Sequence, residues 1–271
     1  AREWLSRTTK GQVSFEFQQI FGSQTNAPAK PTSTAVAPAA LFNRLQQTIS
    51  RLHAIKTATY GNSWKRRGEI LGIMANIARK VDRLGVTDGE VGKVYVAVAQ
   101  GKKTLVDSET ALDTAVDLLV YCLKYRTYLI DEGVADPPEN YAGSTPLSDN
   151  TDGLDAVLAE AFDLQKTPID GLAKALEPPA GLTAENLRLN RKIDVVTVAG
   201  LTEMAFAALE GIVIPAAASA SPVLNQAKAT ALAELITNAR NLVVAVAVAC
   251  PDMVTALQRQ VGLDHVEVEQ S

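Results

Sequence analysis

The sequence has few of the residues that build disulfide scaffolds, zinc sites or β-sandwiches. Its 271 residues include two cysteines and two histidines, and only 5% are aromatic. Cys122 and Cys250 lie far apart in apolar runs, which is typical of small buried side chains in a reducing compartment. His53 and His265 are too widely separated to indicate a histidine-rich metal site. Low aromatic content with abundant alanine favours packed helices over sheets, because alanine has the highest helix propensity.

Several functional classes lack their signatures. No uninterrupted apolar run reaches the ~18 residues that a membrane span needs, and the N-terminus has no apolar segment of a secretory signal. Walker A, nucleophile-elbow, His-Glu-x-x-His and zinc-ligand spacings are absent. A formal net charge of -4 disfavours general nucleic-acid binding, which depends on cations meeting phosphates. We therefore expect a protein of the host-cell cytoplasm or of a virion, with no membrane partner and no strong nucleic-acid signal.

The hydrophobic pattern predicts an all-α fold in which a helical bundle domain is followed by a second helical domain. Residues 1–38, rich in Pro, Ala, Ser and Thr towards their end, form an extended N-terminal arm and linker. The first domain covers 39–132, a Pro-, Gly- and Asp-rich linker covers 133–152, and the second domain covers 153–271. Helices are predicted at about 39–58, 65–84, 88–99, 109–130, 153–165, 167–177, 183–213, 223–249 and 251–262.

The two halves offer a possible internal repeat. Residues 113–125 can be laid over residues 237–249, so that Asp113 meets Thr237 and Asp117 meets Asn241. Either the second half is a degenerate copy that lost its carboxylates, or two Ala/Val/Leu-rich helices resemble each other by chance.

A pair of acids provides the most informative pattern. Asp113 and Asp117 are four residues apart on a predicted helix, so both carboxylates lie on one face beside the apolar stripe. Burying an unpaired charge is costly, and Mg²⁺ takes oxygen ligands from one or two carboxylates together with a substrate phosphate. One interpretation is therefore a metal site. The other is two solvated acids that interact favourably with the helix dipole.

The preceding helix offers a complementary face. Glu69, Asn76, Lys80 and Arg83 fall on one stripe at about 100° per residue. Its acid could join a metal site, and its cations could meet phosphate oxygens. The alternative is an ordinary solvated face. The basic residues 65–67 at the helix start oppose the helix dipole, and either phosphate contact or simple exposure accounts for them.

Three segments carry a resemblance to a known family. HAIKTATYGNSWKRRGE, GIMANIARKVDRLG and DSETALDTAVDLLVYCLKY occur in that order. They resemble the nucleotide modification associated domain of phage and prophage proteins over about residues 42–130. That domain is similar to the MazG-like all-α nucleotide pyrophosphohydrolases. The specificity comes from two separate boxes, Tyr60-Gly61 with Trp64 and Asp113-x3-Asp117.

The resemblance implies Mg²⁺-dependent hydrolysis of a (deoxy)nucleoside triphosphate with release of pyrophosphate. It makes Asp113 and Asp117 Mg²⁺ ligands, and it places Lys56, Tyr60, Trp64 and Lys80 along the nucleotide site. Together with the stripe on the preceding helix, the candidate catalytic residues are Glu69, Asp113, Asp117 and Lys80. The candidate metal ligands are Glu69, Asp113 and Asp117, and the candidate nucleotide-binding residues are Lys56, Tyr60, Trp64, Asn76 and Arg83. MazG-like enzymes carry a paired E-x-x-E on the earlier helix, where this chain has Glu69 alone.

A second functional class is compatible with the same sequence. The long arm and the acid-poor second half favour a structural or assembly protein, for example a phage virion component that reuses the helical fold. In either case we expect a homo-oligomer or a larger assembly formed through the arm. The enzyme is distinguished by an inward-facing acid pair that binds a divalent ion.

Overall fold

The chain is helical wherever its structure is described. The computed structural model describes residues 38–61, 63–84, 111–142, 153–163, 184–216 and 221–263, and every regular element in these ranges is a helix. The all-α prediction is therefore confirmed. The predicted arm up to residue 37 and the helices predicted at 88–99 and 167–177 lie outside the described residues.

The described ranges contain seven helices. Their bounds are α1 Pro38–Tyr60, α2 from Glu69 to residue 84, α3 Ala111–Asp131, α4 Leu154–Ala161, α5 Ala184–Ala216, α6 Pro222–Ala249 and α7 Pro251–Gln260. The apolar spacing of the sequence predicts most of these helix ends to within a few residues of their observed positions. The greatest differences among the described helices are about four residues each: α4 ends at Ala161 rather than near residue 165, and α2 begins at Glu69 rather than near residue 65.

The start of α2 differs from the regular helix that the sequence predicts from about residue 65. A 3-10 turn covers Ser63–Lys65, and α2 begins as a π-helix at Glu69–Met74 before it continues as an α-helix. Gly68 has φ 68°, in the left-handed region where glycine carries no steric penalty. Gly72 allows the close approach of the turn, because a Cβ there would lie 2.5 Å from the carbonyl oxygen of Trp64. The spacing of apolar residues in the sequence does not reveal a close backbone contact of this kind.

The described helices share one hydrophobic core. It draws on α1, α2 and α3 from the first predicted domain and on α4, α5, α6 and α7 from the second. Helix α6 lies at its centre, with Leu235 and Val243 fully buried, and packs against both α3 and α5. Residues Ala37–Ser271 form one compact unit. The described residues on either side of the predicted linker at 133–152 therefore belong to a common core.

The segment after α3 is held in place by backbone and side-chain bonds. Gly133, with φ 69°, ends the helix in a Schellman motif. Its N–H donates to the carbonyl of Ile130, and the N–H of Val134 donates to the carbonyl of Leu129 at 2.8 Å. The Tyr141 hydroxyl then donates to Asp131 at 3.0 Å. Lys65, in the turn before α2, also pairs with Asp131 at 2.8 Å. These contacts hold the end of α3 against that turn.

Among the helices that the structure describes, two are long and apolar enough to cross a membrane, by length and composition alone. They are Pro222–Ala249, which is α6, and the Thr197–Pro215 part of α5. In α6 61% of the apolar window is buried inside the protein, as expected for the central helix of a core, whereas in α5 the share is 28%. The lower buried share of α5 means that much of its apolar surface is exposed.

Candidate phosphate-binding site

Three helices bring one acid and two lysines together at Asp117. Lys56 of α1 contacts one carboxylate oxygen of Asp117 in a short ion pair, and Lys80 of α2 donates to the other oxygen at 2.7 Å. The side chains of Asp117 and Lys80 are 17% and 5% exposed, whereas that of Lys56 is 43% exposed. We call these three residues the lysine–aspartate cluster. It has one deeply placed cation and one cation within reach of solvent.

The cluster fixes the charge of its acid. Burial raises the pKa of the Asp117 carboxyl, but hydrogen bonds and charge from Lys56 and Lys80 oppose burial and prevail, so the net result is a lowered pKa. Asp117 is therefore ionised at neutral pH. Two lysines around one carboxylate give the cluster a formal charge of +1. Such a group is better suited to an additional anion than to an additional cation.

Glu69 lies at a separate place between α2 and α3. The hydroxyl of Tyr125 donates to its carboxylate, and Lys228 of α6 pairs with it at 2.9 Å and 3.1 Å. Tyr125 is fully buried and Lys228 is nearly so. Burial and the hydrogen bond to Glu69 raise the pKa of the Tyr125 phenol, so it stays a neutral donor. Glu69 thus has an ammonium group and a hydroxyl as its partners.

The predicted metal set is not brought together. Glu69 pairs with Tyr125 at one end of the antiparallel α2–α3 pair, and Lys80 meets Asp117 at the other end. Lys80 follows Glu69 by eleven positions along α2, which corresponds to roughly 16 Å, far beyond the reach of one ion. Within the described ranges no group of three or more His, Cys, Asp or Glu side chains could hold a metal. Glu69 therefore does not share an ion with Asp117, and Mg²⁺ at the Asp113 and Asp117 pair stays a prediction; Asp113, one turn from Asp117, is half-buried and has interactions of its own.

The remaining candidate residues take various positions. Trp64 is buried, and the ammonium groups of Lys65 and Lys124 lie 5.1 Å and 5.4 Å from its ring centroid, so both are within cation–π range. Tyr60 is 71% exposed at the end of α1. Asn76 donates to the Gly72 carbonyl and therefore supports the π-helical start of α2.

Arg83 is exposed near the end of α2 and engages in interactions of its own. The structure thus brings Lys56, Lys80 and Asp117 into direct contact. It does not place Glu69 in their group.

Two open cavities lie beside α1 and α4, away from the cluster. Their volumes are about 700 Å³ and 510 Å³, and both are lined by Asn140 and Ala156. Neither is lined by a residue of the lysine–aspartate cluster. The cluster itself reaches solvent through Lys56, whose side chain is 43% exposed.

Two residues that matter for the site were missed by sequence reasoning. Lys228 and Tyr125 neutralise and orient Glu69. A signal for Lys228 does exist, since it precedes the buried Ala231, Leu232 and Leu235 by three, four and seven residues. A lysine on the core stripe of an apolar helix needs a buried acid. Which acid it meets, 159 positions away, is set by tertiary packing.

The chain is similar over part of its length to a known protein. No protein-family model matches the chain, and no solved structure matches it. The chain is 37% identical over 103 residues to "Gene 30 protein" of Bacillus phage SP01, an alignment that covers 33% of this chain. The chain spans 45% of the length of that phage protein. Over this part, the chain is thus similar to a phage protein.

Proposed function

We propose that the protein binds the phosphate groups of a (deoxy)nucleotide at the lysine–aspartate cluster, as its resemblance to the MazG-like nucleotide pyrophosphohydrolases implies. The observation that supports this is the meeting of Lys56, Lys80 and Asp117. The resemblance places Lys56 and Lys80 along the nucleotide site and makes Asp117 a Mg²⁺ ligand beside it, although the three residues are distant in sequence. The phage relative is compatible with this function, although its printed name says nothing of activity.

The two lysines have different roles in this proposal. Lys80 is buried against Asp117, so its ammonium group is held in place without cost at the moment of binding. Lys56 is partly solvated, and its long side chain can exchange a carboxylate oxygen for a phosphate oxygen. Asp117 keeps both cations in position before the ligand arrives. The cluster therefore binds an anion by charge-assisted hydrogen bonds.

Hydrolysis is the activity that the resemblance predicts for this site. It releases pyrophosphate from a nucleoside triphosphate, and the requirement for Mg²⁺ stays a prediction. Among the described residues no group of three or more His, Cys, Asp or Glu side chains surrounds Asp117, so any Mg²⁺ there would be held by one or two carboxylates together with the phosphates of the nucleotide. Activity and binding are consequently measured separately.

Isothermal titration with a panel of nucleoside and deoxynucleoside triphosphates, with and without Mg²⁺, tests binding. We expect Lys56→Ala to weaken affinity by ~10-fold or more, since a hydrogen bond to a charged group contributes about 1.5–3 kcal/mol. Arg51→Ala is the matched control, because it removes an exposed cation from the same helix without touching the cluster. Equal losses in both variants, or no nucleotide binding at all, would contradict the proposal.

Pyrophosphate release is measured on the same panel. The enzyme hypothesis requires turnover that Asp117→Asn abolishes. Nucleotide binding without turnover would leave a binding protein of the same fold and would remove the hydrolase assignment.

The second candidate function is a non-catalytic structural or assembly protein of a phage. It is favoured by the neutralised state of Asp117 and Glu69 and by the exposed apolar face of α5. Under this proposal the protein resides in the virion rather than only in the host cytoplasm. Proteomic detection in purified particles, at a fixed number of copies, distinguishes the two locations.

A further inference from the structure

Helix α5 has an apolar stripe that its own chain leaves exposed. Leu201 is 47% exposed and Met204 is 68% exposed, and Ala208 and Gly211 continue the row on the exposed side. The four residues, which we call the α5 stripe, are spaced by three, four and three positions. That is the spacing of the a and d positions of a coiled coil. The opposite face of α5, with Leu209 and Val213, is buried in the core.

The surroundings of the stripe are also apolar. Ala207 and Ile214 flank it on the exposed side, and the window Thr197–Pro215 contains two charged residues, Glu203 and Glu210. An exposed apolar row of this length is a recognised mark of an interaction surface. Its small members, Ala208 and Gly211, permit close approach of a second helix. A Cβ at position 211 would have no heavy atom within 4 Å.

The order of side-chain volumes along the stripe identifies the partner. The large residues Leu201 and Met204 are in its first half, and the small residues Ala208 and Gly211 are in its second half. If a second copy of α5 runs antiparallel, Leu201 faces Gly211 of the other copy and Met204 faces Ala208. Each large side chain then fills the space beside a small one, in both halves of a two-fold interface. A parallel pair would set glycine against glycine and leave a gap.

We infer that α5 is a homodimer interface, in which the α5 stripes of two copies of this chain pack antiparallel around a two-fold axis. None of the residues of the α5 stripe belongs to the lysine–aspartate cluster. The interface is isologous, so it closes on itself and limits assembly through this face to a dimer.

Analytical ultracentrifugation of the full chain over a concentration series measures the association. We expect Met204→Glu to raise the dimer dissociation constant by at least ~10-fold, since it places a charge at the centre of the interface. Leu71→Glu is the matched control, because Leu71 is 72% exposed on α2 and gains the same charge. A wild-type chain that stays monomeric, or a dimer equally sensitive to both substitutions, overturns the inference.

A second substitution separates shape complementarity from general stickiness. Gly211→Leu adds apolar surface in open space, so the monomer tolerates it, but it occupies the position that Leu201 of the other copy needs. We expect ~10-fold or greater weakening of the dimer. Non-specific apolar association would instead be strengthened, and that result contradicts the inference.

Cysteine cross-linking tests the direction of the pair in a Cys250→Ser background, since Cys122 is buried. Mixed Leu201→Cys and Gly211→Cys chains should form a disulfide with each other, whereas Leu201→Cys chains alone should not. A disulfide between two Leu201→Cys chains would show a parallel pair and refute the arrangement. Stable flotation of the wild-type chain with phosphatidylcholine vesicles would identify lipid as the occupant of the stripe and would equally refute it.

Discussion

The residue that best illustrates the chemistry of this protein is Asp117. It is placed at the edge of an apolar helix face, where an unpaired carboxylate would be unstable. Lys56 and Lys80 arrive from two other helices to satisfy both of its oxygens. Glu69 has the equivalent arrangement with Tyr125 and Lys228. At both places, the ammonium group of a lysine pairs with an acid that the sequence predicts as a metal ligand.

Acid stability should depend on Asp117. Its folded-state pKa lies below the unfolded value, so its contribution to the free energy of unfolding is full above the unfolded pKa of about 4. That contribution is lost as the pH falls through the lowered folded pKa. Asp117→Asn should therefore destabilise the protein at pH 7 by about 1–3 kcal/mol, since it leaves two lysines with a neutral partner. The difference from wild type should shrink progressively below pH 4.

Urea unfolding from pH 2.5 to 7 measures this effect. Asp155→Asn serves as the control, because Asp155 is exposed and accepts a hydrogen bond from Ser50 rather than from a lysine. A stability difference for Asp117→Asn that is the same at every pH would contradict the assigned cause.

At the scale of elements, α2 shows how a local contact overrides a regular period. Glycine at position 72 weakens a helix relative to alanine, and propensity alone would favour its replacement. The Trp64 carbonyl nevertheless approaches so closely that position 72 has no room for a side chain. The π-helical start of α2 and the 3-10 turn before it are the means by which the chain accommodates the buried indole.

Gly72→Ala should therefore lower the free energy of unfolding by about 1–3 kcal/mol, because the added methyl group collides with backbone rather than with a movable side chain. Gly200→Ala is the matched control in α5, where a Cβ meets no heavy atom within 4 Å. It should raise stability by up to ~1 kcal/mol through helix propensity. Thermal unfolding followed by circular dichroism measures both, and the same sign for both substitutions would contradict this account.

At the scale of the whole molecule, α6 joins the two predicted domains. Its buried face packs against α5 on one side and α3 on the other, and Lys228 extends the connection to Glu69 of α2. Helices that share a core in this way are expected to unfold together.

Leu235→Ala should lower stability by about 2–5 kcal/mol, because it leaves a cavity at a fully buried position. The loss should be equal when read from Trp64 fluorescence, in a Trp4→Phe background, and from far-ultraviolet circular dichroism. Leu71→Ala is the control and should have a small effect, because Leu71 is 72% exposed on α2 and lies outside the α5 stripe. Two separate transitions, with Trp64 insensitive to Leu235→Ala, would show that the two ranges unfold independently.

The sequence alone determined that the described ranges are helical and where most of their helices lie, because apolar spacing is a local property that repeats along each element. It also determined that Lys56, Lys80 and Asp117 are candidates for one site, through motifs that occur in order. Tertiary structure decided which charges meet. The separation of Glu69 from Asp117, its pairing with Lys228 and the exposure of the α5 stripe all depend on how helices distant in sequence pack, and no local pattern encodes those distances.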